Sequence, residues 1–176
     1  LAQHAANAGF EVLLPWGGEA ERSRAEHIAQ STGATVLPKL SLSGLAAQLA
    51  SASGVIAVDT GLGHLAAALA RPTLSLYGPT DPGLSGTYGV SQKHLCSTFA
   101  CAPCLQKTCA YKGPVVLDND KTVAPPCFST HPPASVWQTF EALLAKAALG
   151  RPKSYYDTSG YDNSGHIKLN NGSTGK

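Results

Sequence analysis

The stretch Val55-Ile56-Ala57-Val58-Asp59-Thr60-Gly61-Leu62-Gly63-His64-Leu65-Ala66-Ala67-Ala68-Leu69 decides the fold. Four apolar residues break into an acid, a hydroxyl, two glycines and a histidine, and then become an alanine-rich run. That is a buried strand, a tight turn and a helix. Asp59 or Thr60 can cap the helix, and the glycines let the backbone turn. The same turn leaves bare amides at a helix start, where an anion can be held. Both readings fit the residues.

The rhythm extends outward from there. Towards the N-terminus, LAQHAANAG reads as the end of a helix stopped by Gly9. FEVLLP is a short strand closed by Pro15, and EAERSRAEHIAQSTG is a polar helix ending at Gly33 with Ala20, Ile28 and Ala29 packing. ATVLP is the next strand. SLSGLAAQLASASG is a helix with Ser41 or Ser43 as its cap and Leu45, Leu49 and Ala52 along one face. Towards the C-terminus, PTLSLYG is a further strand. Apolar strands separated by helices predict an α/β fold, a doubly wound parallel (Rossmann-like) sheet covered on both sides with right-handed crossovers.

From Pro79 to about Pro133 the pattern gives way to Gly, Pro and Cys. A final helix, ASVWQTFEALLAKAALG, carries Val136, Phe140, Leu143 and Leu144 on one stripe and stops at Gly150. We therefore expect one domain over 1–150, including a Cys-rich loop over 96–127. Residues 151–176, whose only aliphatic residues are Ile167 and Leu169, are expected to form a polar, disordered tail.

Bulk properties exclude several function classes. A formal charge of +2 in 176 residues, with no run of Lys or Arg, argues against a nucleic-acid groove. No stretch reaches the roughly 18 apolar residues that cross a bilayer. The N-terminus lacks the basic start of a secretion signal. The chain has no Met, and we read it as a piece that begins inside a larger protein. The five cysteines, Cys96, Cys101, Cys104, Cys109 and Cys127, are odd in number and confined to one region, which predicts a reducing compartment rather than a disulfide scaffold.

Ligands of open parallel sheets bind beyond the carboxyl ends of the strands. The loops there are PWGGEAE, PKLSLSG, DTGLGH and YGPTDPG. Gly61 and Gly63 do not complete a dinucleotide signature, because Ala66 stands at its third glycine position. Spacing alone leaves a capped helix and an anion site equally open.

VDTGLGHLAAALARPTLSLYGPTDP resembles the signature of the bacterial lipopolysaccharide heptosyltransferases, glycosyltransferase family 9, and is most like its heptosyltransferase I members. LLPWGGEAERSRAEHIA and VLPKLSLSGLAAQLA are similar to the two preceding segments of that family. The likeness runs from about Leu1 to Gly150 and covers the C-terminal, nucleotide-sugar-binding domain of a GT-B fold. It implies that Asp59, Thr60 and Gly61 contact the sugar and diphosphate of an ADP-heptose donor, with Gly63 and His64 lining the same pocket. Family members commonly carry Ser or Thr at the place of Gly63. Glu21 would hold the adenosine ribose, since a carboxylate accepts from vicinal hydroxyls. Leu40 would pack on adenine, and Thr80 and Asp81 would face the acceptor cleft.

Each role has a plain structural rival. Glu21 can complement its helix dipole, His64 can be a satisfied half-buried imidazole, Leu40 can be core, Lys39 can be solvated, and Asp81 can build the PTDPG turn.

The implied reaction transfers heptose from ADP-heptose to the Kdo region of the lipopolysaccharide inner core with inversion. It is a cytoplasmic activity at the cytoplasmic face of the inner membrane, with peripheral membrane association and no required cofactor. The resemblance puts the catalytic base in an N-terminal domain, so no catalytic residue is expected here, and the lipid A–Kdo acceptor would be met through that domain. The chain alone should bind donor weakly and not turn over. Cys101, Cys104, Cys109 and Cys127 could hold a structural zinc, form a disulfide or pack as thiols. Cys96 is expected on a strand, as a core residue. The competing functions are another GT-B transferase or nucleotide-sugar epimerase, and a non-catalytic zinc- or partner-binding module.

Overall fold

The computed structural model describes residues 1–118 and 121–149. The elements run α1 (Ala2–Asn7), β1 (Leu13–Leu14), α2 (Glu19–Thr32), β2 (Thr35–Val36), α3 (Leu42–Ser51), β3 (Val55–Val58), α4 (Gly61–Ala68) and β4 (Thr73–Tyr77). Then come α5 (Pro82–Ser85), β5 (Gln92–Cys96), the antiparallel pair β6 (Leu117–Asp118) and β7 (Lys121–Thr122), a 3-10 turn at Pro126–Thr130, and α6 (Pro133–Leu149).

Both α/β sheets are wholly parallel. β1 pairs with β2, while β3, β4 and β5 form a second sheet in that order. The expected single sheet is thus two parallel groups among the described residues. The reason is local: β1 and β2 are each only two residues long, too short to extend pairing further.

β4 is the centre. Thr73, Leu74, Ser75, Leu76 and Tyr77 are all buried, as a strand covered on both faces must be. Alternation along the strand sorts these side chains. Leu74 and Leu76 join Val136, Trp137, Phe140 and Leu143 of α6 in one core cluster, against which Ile56 and Ala5 also pack. On the other face, Ala57 and Ser75 meet the backbone of α4 at Gly63. Phe10 reaches Trp137 edge to face at 5.9 Å, so the loop after α1 also leans on α6. Each of the large side chains in the cluster contributes at most ~1.5–3 kcal/mol through burial.

The helix stripes are only partly as expected. On α6, Val136, Phe140 and Leu143 are buried, Leu144 is half-buried, and Trp137 joins them. On α3, Leu45 and Leu49 are half-buried and Ala52 lies just past the helix end. On α2 the stripe differs: Ala25 is the buried residue, Ala29 is half-buried, and Ala20 and Ile28 are exposed. Gly33 closes α2 in the left-handed region at φ 71°, which suits a residue without Cβ.

Within the span from Pro79 to Pro133, the strand expected at Cys96 is β5, and it reaches back to Gln92. QKHLC pairs along β4 from Thr73↔Gln92 to Tyr77↔Cys96. Cys96 is exposed there, contrary to the core expectation, because β5 is the outer strand of its sheet. The expected stop at Gly150 and the tail over 151–176 lie outside the described residues.

Candidate functional site

The start of α4 is built from the end of β3. Thr60 is its N-cap residue in extended backbone, yet its hydroxyl makes no capping hydrogen bond. The first-turn amides of Gly61, Leu62 and Gly63 therefore carry no side-chain acceptor. A Cβ placed on Gly61 would meet nothing within 4 Å, so this turn faces open space. Gly63 differs. It is buried, and its missing Cβ would point at Ala57 Cβ, 3.4 Å away, and Ser75 Oγ, 3.8 Å away. Only the amide of Gly63 can belong to a ligand seat; its bareness serves helix–sheet contact.

Asp59 sits at the rim with its side chain 17% exposed. Its Oδ2 accepts from Ser85 Oγ at 2.8 Å, and its Oδ1 lies 3.7 Å from His64 Nε2. His64 is 45% exposed along its side chain, so it is neither core nor fully solvated. Asp59, Thr60, Gly61 and His64 thus form one group, joined through Ser85 to α5. Ser85 carried no signal in the sequence, because the contact spans 26 positions.

α5 is held by the next loop. Asp81 caps it, with Oδ1 accepting from the Gly83 amide at 2.8 Å, so the plain turn-building role is realised. Thr80 is half-buried beside it. Beneath lies Tyr77, fully buried, whose phenol donates to the Ser85 carbonyl at 3.2 Å. Burial raises the Tyr77 pKa above its ordinary 10.0, and the Asp59 charge adds to the rise.

The β1 and β2 loops make a second cluster. Glu21 turns back on its own loop, and its Oε2 accepts from the Gly17 amide at 2.7 Å. Trp16 Nε1 donates to the Leu37 carbonyl at 2.7 Å, tying the two loops together. The Trp16 ring has Arg22 at 5.4 Å and Lys39 Nζ at 5.8 Å from its centroid, so Lys39 lies against an aromatic ring. Leu40 is half-buried next to it, beside Gly44. Among the described residues no hydrogen bond, ion pair or ring contact joins Glu21 or Leu40 to the Asp59 group.

A cavity of about 70 Å³ is lined by Cys101, Cys104, Cys109 and Cys127 together with Pro79 and Pro126. It is too small for a nucleotide, which needs at least ~300 Å³. It borders the Pro79 loop, where the Leu105 amide donates to the Pro79 carbonyl at 2.8 Å. All five thiols are free. Cys127 is buried, and burial, with the neighbouring cysteines adding to it against an opposing backbone hydrogen bond, raises its pKa above the ordinary 9.0. Among the described residues no group of three or more His, Cys, Asp or Glu could hold a metal ion. The cysteines share a cavity without converging on a tetrahedral centre, so the zinc expectation gains no support. Nor is any helix among them long and apolar enough to cross a membrane.

Comparison with known proteins places this arrangement. The family model for glycosyltransferase family 9 (heptosyltransferase) matches residues 1–114. Lipopolysaccharide heptosyltransferase 1 of Pseudomonas aeruginosa is 52% identical over 149 residues, covering 82% of this chain and 42% of that protein. The Salmonella typhimurium protein of the same name is 51% identical over 92 residues, covering 52% of this chain and 29% of the relative. The chain therefore spans less than half the length of these relatives. Among solved structures, E. coli heptosyltransferase WaaC with ADP is similar at 50% identity and a TM-score of 0.50, over 51% of this chain and 28% of that one. WaaC with ADP-2-deoxy-2-fluoro heptose is similar at 44% identity, with a TM-score of 0.50 over 55% and 29%. With parallel sheets, flanking helices and a family model covering most of its length, the chain belongs to glycosyltransferase family 9, the heptosyltransferases.

Proposed function

We propose that this chain is the donor-binding part of an inverting glycosyltransferase that moves heptose from ADP-heptose to the Kdo region of the lipopolysaccharide inner core. The observation that carries the reading is the uncapped start of α4, open to solvent at Gly61 and flanked by the half-buried carboxylate of Asp59. Amides there donate to the diphosphate, and the helix dipole adds ~0.3–1 kcal/mol of attraction, up to ~2 kcal/mol where water is excluded. As the sugar departs, charge grows on the ADP oxygens, and pre-aimed amides stabilise that growth without reorganising.

Asp59 repels phosphate, so its partners are sugar hydroxyls, with His64 beside it. Glu21 has one oxygen engaged by Gly17, leaving Oε1 to accept from a ribose hydroxyl. Leu40 offers the adenine an apolar contact, and Thr80 and Asp81 border the acceptor side. The base that deprotonates the acceptor is assigned to residues beyond these 176, in the part of the family this chain does not cover. The work is done at the cytoplasmic face of the inner membrane, where a lipid A–Kdo acceptor is presented.

Calorimetric titration tests this reading. The chain should take up ADP or ADP-heptose in preference to UDP or UDP-glucose, and the isolated chain should show no heptose transfer to a Kdo-lipid A acceptor. Preference for the uridine ligands overturns the donor assignment. Transfer by the isolated chain overturns the placement of the base.

A further inference from the structure

The carboxylate of Asp59 is an uncomfortable neighbour for a diphosphate, because like charges a few ångströms apart repel even across partial screening. It serves a donor site only if it is held turned towards hydroxyls. The structure contains such a hold. Ser85 Oγ donates to Asp59 Oδ2 at 2.8 Å, while the same hydroxyl lies 3.4 Å from the Asp81 carbonyl. A serine has one proton to give, and the shorter, charge-assisted partner takes it.

Ser85 is itself fixed from two sides. Its amide donates to the Asp81 carbonyl at 3.1 Å, and its carbonyl accepts from the phenol of buried Tyr77 at 3.2 Å. Gly86, next in sequence, has no room for a side chain, since a Cβ there would strike the Pro82 carbonyl and lie 2.9 Å from the His94 ring. The hydroxyl is therefore delivered by a rigid corner.

We propose that Ser85 is a positioning residue for the sugar part of the donor. By occupying Oδ2 it sets the Asp59 carboxylate so that Oδ1, on the His64 side, is offered to a hydroxyl of a nucleoside-diphosphate sugar. It acts through Asp59 and touches no ligand. This rests on the donor-site reading above. It goes beyond it by linking the loop after β4 to sugar recognition rather than to nucleotide recognition.

The test is calorimetric titration of ADP and of ADP-heptose into the 176-residue chain and its variants, each first shown to unfold cooperatively. Ser85→Ala should weaken ADP-heptose about tenfold, the scale of a hydrogen bond to a charged group, and leave ADP within about twofold. Ser85→Thr, which keeps the hydroxyl, should restore the sugar-dependent affinity. In an Asp59→Ala background, Ser85→Ala should change nothing further. Equal weakening of both ligands, a loss that persists without Asp59, or an unchanged ADP-heptose affinity each overturns the proposal. Failure of the unaltered chain to bind either ligand overturns the donor reading itself, and this inference falls with it.

Discussion

Two helix starts in this molecule face the same physical problem and solve it differently. α3 begins after Ser41, whose Oγ accepts from the Gly44 amide at 3.2 Å. α4 begins after Thr60, also a favoured capping residue, whose hydroxyl makes no such bond. The first start is satisfied by its own side chain and needs no ligand. The second keeps its donors bare beside a carboxylate anchored from α5. A hydroxyl at the N-cap therefore does not reveal whether a helix start is closed or vacant for an anion; the side-chain geometry does.

The contrast breaks most visibly at Gly61. Because a Cβ there meets open space, Gly61→Val should fold normally yet lower ADP affinity by more than about tenfold, measured by calorimetry, through obstructing the amides. Unaltered affinity would mean that no ligand approaches α4 from that side.

A second difference is titratable. α3 has no ionisable side chain, whereas the α4 region rests on Tyr77 through Ser85. Burial raises the Tyr77 pKa above 10.0, so the fold binds this proton more tightly than the unfolded chain does. Its contribution is complete below pH 10.0 and is lost as pH climbs through the folded value. Unfolding free energy should fall as pH climbs past 10.0, by at most ~1.4 kcal/mol per pH unit for this one proton, and Tyr77→Phe should flatten the fall. Denaturant titrations from pH 9 to pH 11 would check the slope. Cys127, buried and raised above 9.0, adds a decline of the same sign that Tyr77→Phe leaves in place.

Smaller effects sharpen the pair of helix starts. Ser41→Ala should cost ~1 kcal/mol of stability and leave ADP affinity unchanged, since it removes a working cap. Thr60→Ala should change stability by less than ~0.5 kcal/mol, because its hydroxyl caps nothing. A full capping penalty at Thr60 would erase the distinction.

Much of the scaffold was legible in the sequence because its signals are local. VIAV followed by a glycine turn and an alanine run yields β3 and α4, and the 3–4 spacing of Val136, Phe140 and Leu143 yields the buried face of α6. β5 was legible only at Cys96. QKHLC is mostly polar, as an outer strand is, and sits among glycines and prolines. Of the candidate site, the grouping of Asp59, Thr60, Gly61 and His64 was legible, since they are close in sequence and remain close in space. What joins them to α5 was not, since no pattern relates Asp59 to Ser85. Glu21 shows the converse: the sequence suggested a ribose contact or a helix-dipole role, and the bond the structure displays is to its own loop. Four of the five cysteines line one cavity without meeting at a point.

One consequence lies in the packing of α6. Of the described elements it is the last to leave the ribosome, yet Val136, Trp137, Phe140 and Leu143 cover Leu74 and Leu76, and Trp137 also receives Phe10. Until that helix emerges, the central strand has one greasy side wet, so the nascent chain must wait, shielded or at risk of sticking to its neighbours.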